Sequence, residues 1–250
     1  MKILLLGGSG ILGSDCREVL SMDFDVISPD EKDLDITIRD AVIDSLQQIS
    51  PDIILNCAGI SDVDRCEVDS SAIRKVNVEG SRNLAQGSAK FKSRLVQISS
   101  DYVFNGQKVV PQPYFEDDPV DPISVYGKSK MESEAAVREN SPDYIIVRTS
   151  WLYGINGDDF IDFIITRAIK REDVLKVVDN QFISPTWTYT LALQIKELLQ
   201  SDALYEYARY ILKRLKIEAA LEPCGLKDYP QTARRPVNCI LENTRMNKKA

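Results

Sequence analysis

Histidine is absent from this chain of 250 residues. That gap removes Ser-His-Asp and Cys-His catalysis, histidine-ligated zinc and HExxH chemistry, so any proton-transfer group must be Tyr, Lys, Asp, Glu or Cys. Cysteine is sparse: Cys16, Cys57, Cys66, Cys224 and Cys239 form no CxxC pair, which leaves no sign of a zinc knuckle or a redox dithiol. Their odd number and wide spacing fit buried or incidental thiols in a reducing compartment. Long apolar runs are missing too. Nothing approaches the ~20 residues of a membrane span, and the apolar stretch after Lys2 falls short of the ~7–15 residues of a signal-peptide core. A cytoplasmic protein is expected. Basic charge is in deficit, 31 Lys+Arg against 38 Asp+Glu for a net −7, which disfavours nucleic acid or an anionic membrane as the main partner.

What is present is an alternation. Short runs rich in Ile, Val and Leu, at 2–6, 25–27, 53–56, 95–98 and 144–147, are separated by longer helical patterns. At 38–49, Val42, Ile43, Leu46 and Ile49 share one face, Thr37-Ile38-Arg39-Asp40 reads as a capping box, and Pro51 marks the stop. Such alternation predicts an α/β fold with a parallel sheet covered on both sides. From Trp151 onward the pattern loosens. Helices are expected at 159–169, 188–199 and 205–215, a short strand at 175–178, and a loop at 223–238. Residues 101–125 hold Pro111, Pro113, Pro119 and Pro122 without helical periodicity, which predicts a long surface loop of the kind that often carries function.

The first strand runs into Gly7-Gly8-Ser9-Gly10-Ile11-Leu12-Gly13, which then opens a helix. Glycines there permit a tight turn, close approach of backbone to a pyrophosphate and close helix packing, and the helix N-terminus supplies amide donors. Gly7, Gly10, Ile11, Leu12 and Gly13 are therefore cofactor-binding candidates. A ribose-binding acid is expected roughly 20 residues on, and Asp30 stands there, after Ser28-Pro29. Lys32 could equally meet a 2′-phosphate, which leaves NADH and NADPH both open. Asp35, followed by Ile36, either reaches the adenine or caps a helix. With this loop the fold reads as a Rossmann-type doubly wound sheet, residues 1–150 forming the NAD(P)-binding domain; the family resemblance described below implies that 151–250 are mainly a smaller C-terminal substrate-binding lobe from which segments of the family pattern are missing.

At Tyr126-Gly127-Lys128-Ser129-Lys130 the tyrosine and the second lysine are four apart and share a helical face roughly 6 Å apart. An ammonium beside a phenol is expected to lower its pKa and make it a useful acid/base. Ser99 or Ser100, at the C-terminal end of the fourth strand, offers a hydroxyl to the same substrate oxygen, at the edge where open α/β sheets bind ligands.

With these residues in hand, the chain resembles the extended short-chain dehydrogenase/reductases and, within them, the dTDP-4-dehydrorhamnose reductase family. The resemblance rests on the glycine loop, Asn56-Cys57-Ala58-Gly59, Asn77-Val78-Glu79-Gly80, Ser99-Ser100-Asp101-Tyr102-Val103-Phe104-Asn105-Gly106, Tyr126-Gly127-Lys128-Ser129-Lys130, Arg148-Thr149-Ser150-Trp151-Leu152-Tyr153-Gly154 and Ser184-Pro185-Thr186. It covers nearly the whole chain. It implies Ser100 as the substrate-oxygen hydroxyl, Tyr126 as general acid and Lys130 as the bridge to the nicotinamide ribose. Ala58 and Gly59 would line the dinucleotide, Asp101, Tyr102 and Trp151 the sugar pocket, and Arg235 the nucleotide diphosphate. The implied reaction delivers hydride from NADPH or NADH to C4 of dTDP-4-dehydro-6-deoxy-L-mannose. Related dehydratases place Asp-Glu after the active-site hydroxyl; here Tyr102 replaces the glutamate, so elimination lacks its second carboxyl group. Some relatives pair as homodimers through acidic residues and Mg2+, and Asp15 stands at one such position.

The chain departs from the family pattern in three places. Gln200-Ser201-Asp202-Ala203 runs directly into Leu204 where a strand is usual, the chain ends at Ala250 where relatives continue into a helix, and Ile183 stands where a glycine is typical. Two other readings remain open: a non-catalytic NADP-binding regulatory subunit like that of methionine adenosyltransferase, and a reductase or epimerase of another nucleotide sugar.

Overall fold

In the computed structural model, which describes residues 1–157, 160–170 and 181–200, the apolar runs form Lys2–Leu6 (β1), Asp25–Ile27 (β2), Ile53–Asn56 (β3), Arg94–Ser100 (β4) and Tyr144–Thr149 (β5). Ile11–Leu20 (α1) and Arg39–Ile49 (α2) flank β2. Between β3 and β4 come Val63–Val68 (α3), Ser70–Ile73 (α4), a π-helical stretch at Arg74–Gly80 and Ser81–Phe91 (α5). Val125–Asn140 (α6) precedes β5. Leu152–Tyr153 (β6), Phe160–Ile169 (α7), Thr186–Trp187 (β7) and Thr188–Gln200 (α8) follow it.

The five strands are all parallel, in the order β2-β1-β3-β4-β5. Because the chain goes outward from β1 to β2 and returns to the other side of β1, the order reverses between β1 and β3. A crevice opens there at the carboxyl ends. Period-two alternation decides how the faces are covered. Ile3, Leu5, Ile53, Leu55, Val96 and Ile98 meet Leu12, Cys16, Val19 and Leu20 of α1 and Leu191, Ala192, Ile195 and Leu199 of α8. Leu4, Leu6, Ile54 and Leu95 meet Val42 and Leu46 of α2, Leu84 and Ala85 of α5 and Val137 of α6. Strands buried on both faces read as continuous Ile/Leu/Val runs for this reason. From beyond residue 151, α8 thus contributes to the core of the sheet.

Two expectations are corrected or refined, and one element is new. The capping box at Thr37–Asp40 does not form. Asp35 Oδ1 accepts from Thr37 N at 2.8 Å, one step too early, Ile38 becomes the N-cap without a side-chain bond, and Thr37 Oγ1 is buried without a partner. Residues 101–125 begin with a 3-10 turn at Asp101–Val103. The rest packs on itself, Phe104 stacking on Tyr114 with centroids 4.5 Å apart and Lys108 donating to Pro113 O. The π-helical stretch was not foreseen. Cys16, Cys57 and Cys66 are free thiols, two of them wholly buried. Among the described residues no helix is long and apolar enough to cross a membrane. The expected strand at 175–178, the helix at 205–215, the loop at 223–238, Arg235, Cys224, Cys239 and the junction at 200–204 lie outside the described residues, apart from Gln200 itself.

Candidate active site

At the switch point, the exits of β1 and β3 touch. Gly7 has φ +73°, and a Cβ there would sit 2.6 Å from Ala58 N. One at Gly13 would sit 2.0 Å from Gly7 O. Gly10 N donates to Gly7 O at 3.0 Å, and Gly10 caps α1 with no side-chain bond and no acid in the first turn. That leaves first-turn amides and the positive helix end facing the loop, the arrangement that receives phosphate. Ala58 N in turn donates to Asn56 Oδ1 at 3.1 Å, and Asn56 is fixed by Gln97 at 2.9 Å in the core. Ser28, at the end of β2, carries a buried hydroxyl without a protein partner beside Gly8. These features fit a dinucleotide.

The outer candidates divide by environment. Asp30 is exposed and its carbonyl closes a turn with Asp33 N and Leu34 N. Asp35 makes the backbone bond to Thr37. Leu12 and Ile36 are core residues, Ile36 O also accepting from Asn83 Nδ2 at 3.0 Å, while Ile11 is half-buried beside Gly157.

At the end of β4, alternation separates the two serines. Ser99 turns toward α6 and donates to Glu134 Oε1 at 2.6 Å. Ser100 donates to Asp101 Oδ1 at 3.0 Å and accepts from Tyr102 N at 3.2 Å. Asp101 Oδ2 accepts from Ser150 Oγ at 2.6 Å, tying the ends of β4 and β5. Ser124 caps α6 through Gly127 N, and a Cβ at Gly127 would lie 2.2 Å from Tyr102 O. Only glycine lets the helix start this close to the 3-10 turn. Tyr102 then meets the Tyr126 ring edge-on at 5.6 Å.

Tyr126 and Lys130 are both buried, at 8% exposure. Lys130 Nζ donates to Ile98 O at 3.1 Å and lies 6.0 Å from the Tyr126 ring centroid. The expected depression of the phenol pKa by the lysine is corrected. Burial pushes Tyr126 up to about 12, against the pull of the Ser100 hydroxyl, and burial pulls Lys130 down to about 8. Desolvation outweighs a cation whose ammonium is committed to a carbonyl. The consequence favours an acid: the phenol keeps its proton at neutral pH.

Asn77, in the π-helical stretch, pins the β3 exit to α6. Its Oδ1 accepts from Ile60 N at 2.8 Å, and its Nδ2 donates to Ile60 O at 3.0 Å and Ser129 Oγ at 2.9 Å. Sequence reasoning quoted Asn77 in a motif without giving it a role, and it passed over Glu134, although Glu134 extends the Tyr126/Lys130 face by four residues. Trp151 is half-buried with φ +40°, strain of the kind found at ligand sites, and its carbonyl accepts from Thr186 N at 3.1 Å. Ile183 is exposed. Asp15 does not fit a Mg2+ ion shared between subunits. Its carboxylate is buried inside its own chain, accepting from Thr188 Oγ1 at 2.5 Å and Asn156 Nδ2 at 3.5 Å, and no cluster of three acidic or cysteine residues forms among the described residues.

A family model described as the RmlD substrate binding domain matches residues 1–250. The chain belongs to this family. It is 33% identical to a spore coat polysaccharide biosynthesis protein of Bacillus subtilis, over 97% of this chain and 89% of that protein. It is 32% identical to the dTDP-4-dehydrorhamnose reductase of Aggregatibacter actinomycetemcomitans, over 99% and 92%. The crystal structure of the dTDP-4-dehydrorhamnose reductase from Bacillus anthracis in complex with NADP superposes with a TM-score of 0.77 at 33% identity, covering 94% of this chain and 88% of that one.

Proposed function

We propose that this protein is an NADPH-dependent reductase that converts the C4 ketone of dTDP-4-dehydro-6-deoxy-L-mannose into the alcohol of dTDP-L-rhamnose. The observation that carries the reading is Ser100, Tyr126 and Lys130 gathered at one carboxyl edge, beside a backbone cradle for a dinucleotide, in a chain of this family. Gly7, Gly10, Gly13, Ala58 and Gly59 would hold the pyrophosphate and nicotinamide half, and the Ser28–Lys32 segment the adenosine ribose. When bound, the reduced nicotinamide supplies the hydride. Tyr126, protonated at neutral pH, gives its proton to the substrate oxygen as negative charge develops there. Ser100 turns its hydroxyl from Asp101 to the same oxygen. Lys130 holds its proton over much of the neutral range and steadies the phenolate left behind. Asp101, Tyr102 and Trp151 border the sugar, and with Tyr102 following Asp101 the protein does not dehydrate dTDP-glucose. The reading places the enzyme in the cytoplasm and assigns sugar binding mainly to residues beyond 151 other than α8, with Arg235 as the contact to the diphosphate.

The test is direct: purified full-length protein is mixed with the 4-keto intermediate and NADPH or NADH, and loss of reduced nicotinamide absorbance is followed together with formation of dTDP-L-rhamnose. Faster reaction with NADH revises the cofactor alone. A folded protein that binds NADPH yet reduces no nucleotide-linked 4-ketosugar overturns the enzymatic reading in favour of a regulatory subunit.

A further inference from the structure

Four residues beyond Lys130 on the same face of α6, Glu134 is completely buried. Its Oε1 accepts from Ser99 Oγ at 2.6 Å and Arg148 Nε at 2.8 Å, and its Oε2 accepts from Arg148 Nη2 and Arg138 Nη2, both at 2.8 Å. Burial alone would raise this carboxyl's pKa, but the bonds from Arg148 and Ser99 and the nearby guanidinium charges outweigh it and hold the pKa below the ordinary value. Arg148, at the end of β5, also donates from Nη1 to Glu116 O at 3.1 Å, and its guanidinium lies 5.1 Å from the centroid of the Phe104 ring. One buried pair therefore joins four pieces of chain: the helix bearing Tyr126 and Lys130, the end of β4 bearing Ser100, the end of β5, and the 101–125 loop.

Stability does not explain the pair. Replacing a buried ion pair by apolar side chains of similar volume is often neutral or stabilising, because desolvation cancels most of the attraction. What a bidentate fork adds is direction, since two parallel N–H···O bonds fix an angle as well as a distance. The atoms it directs lie one residue from the chemistry. Ser99 is bonded to Ser100, and Arg148 precedes Thr149, which pairs with Ser100 in the sheet.

We propose that Glu134 and Arg148 are positioning residues, holding α6 and the 104–116 segment at a fixed angle to the end of β4 and thereby setting the Tyr126 phenol and the Ser100 hydroxyl on one substrate oxygen. This rests on the reductase reading for its kinetic test and on the geometry alone for its second test. The double replacement Glu134→Leu with Arg148→Met removes both charges and keeps the volume. Expected are an NADPH affinity near that of the starting protein and a melting temperature lowered only by what the orphaned Ser99 hydroxyl costs, with kcat lowered ~10–100-fold, the cost of misplacing a reacting group by about 1 Å. Backbone amides in 101–124 exchange their hydrogens faster. Arg148→Lys keeps the charge and loses the fork, and is expected to lower kcat ~10-fold in a folded protein. A folded double variant with unchanged kcat and unchanged exchange overturns the proposal. If the double variant does not fold, Arg148→Lys decides in the same way. If the starting protein reduces no ketosugar, the reductase reading fails, and the exchange measurement still decides whether this pair orders the loop.

Discussion

The carboxyl edge of the sheet has two halves built in opposite ways. Beside β1 the site is made of backbone: Gly7 and Gly13 contribute the side chains they lack, and Ala58 N closes the cradle. Beside β4 and β5 it is made of side chains whose partners lie far along the chain, Ser99 with Glu134, Asp101 with Ser150, and Asn77 with Ser129. A cradle for phosphate needs only amides and room, so glycines in the right places encode most of it locally, and only Ala58 N has to be brought in across the switch point. Proton transfer needs particular groups at particular pKa values, and those come from burial and long-range contact.

The two halves should fail differently. Tyr126→Phe removes the proton donor and leaves the cradle intact, so turnover at saturating cofactor and substrate is expected to fall at least ~100-fold while NADPH affinity stays within a few fold. Near-normal turnover by this variant would take Tyr126 out of the mechanism. Gly7→Ala attacks the other half. A Cβ at φ +73° clashes with Ala58 N, and left-handed strain for a residue with a Cβ costs roughly 1–2 kcal/mol. Calorimetry is expected to show NADPH binding weakened ~10-fold or more, with kcat at saturating cofactor little changed. Equal loss in kcat and affinity would dissolve the distinction between the halves.

The same division explains what was legible in the sequence. Strand runs, α2 and α8 could be read to within a few residues, and α1 and α6 by their place alone, because two-sided burial leaves apolar blocks and one-sided burial leaves a helical stripe. The glycine loop and the Tyr126–Lys130 spacing were readable for the same local reason. Glu134 was not, because a glutamate on a helix reads as a solvated charge until Arg148 is known to face it. Nor was the direction of the Tyr126 shift: four-residue spacing announces a nearby cation, and only the fold shows that the phenol is buried and that Lys130 is bound to Ile98 O. The failed cap at Thr37 has a similar cause, since Asp35 competes for the same backbone amide.

Lys130 sharpens the comparison through pH. Its pKa falls from 10.5 to about 8 on folding. Below pH 8 both states carry the proton and the folded protein bears the whole cost of the buried charge. Between about 8 and 10.5 the unfolded chain binds the proton and the folded one does not, so this group makes stability rise with pH. Lys130→Met is therefore expected to abolish most turnover yet stabilise the fold at pH 7. The gain is on the order of 1 kcal/mol once the orphaned Ile98 carbonyl is set against it. It should vanish as pH rises through the titration of Lys130 and turn into a net loss by about pH 10.5, where the neutral amine still donates to Ile98 O and the Met variant cannot, as chemical denaturation at the two pH values would show. A stabilisation independent of pH would mean that the charge of Lys130 is not what costs the fold.

The smallest expected effect lies on the same helix and serves as the contrast to Glu134. Glu132 also faces an arginine, Arg74, but there the side chains are 38% and 57% exposed. Water screens the attraction, and ordering two long side chains costs about what the contact returns, so exposed pairs of this kind are worth roughly 0–1 kcal/mol. Arg74→Ala is expected to change stability by less than ~0.5 kcal/mol and to leave kcat untouched. Glu132 sits two residues from Glu134 in sequence and on another side of the helix, so an argument from charge alone would treat the two alike. If Arg74→Ala slows turnover as much as Arg148→Lys does, the helix responds to any lost ion pair, and burial is not what makes the Glu134 pair matter.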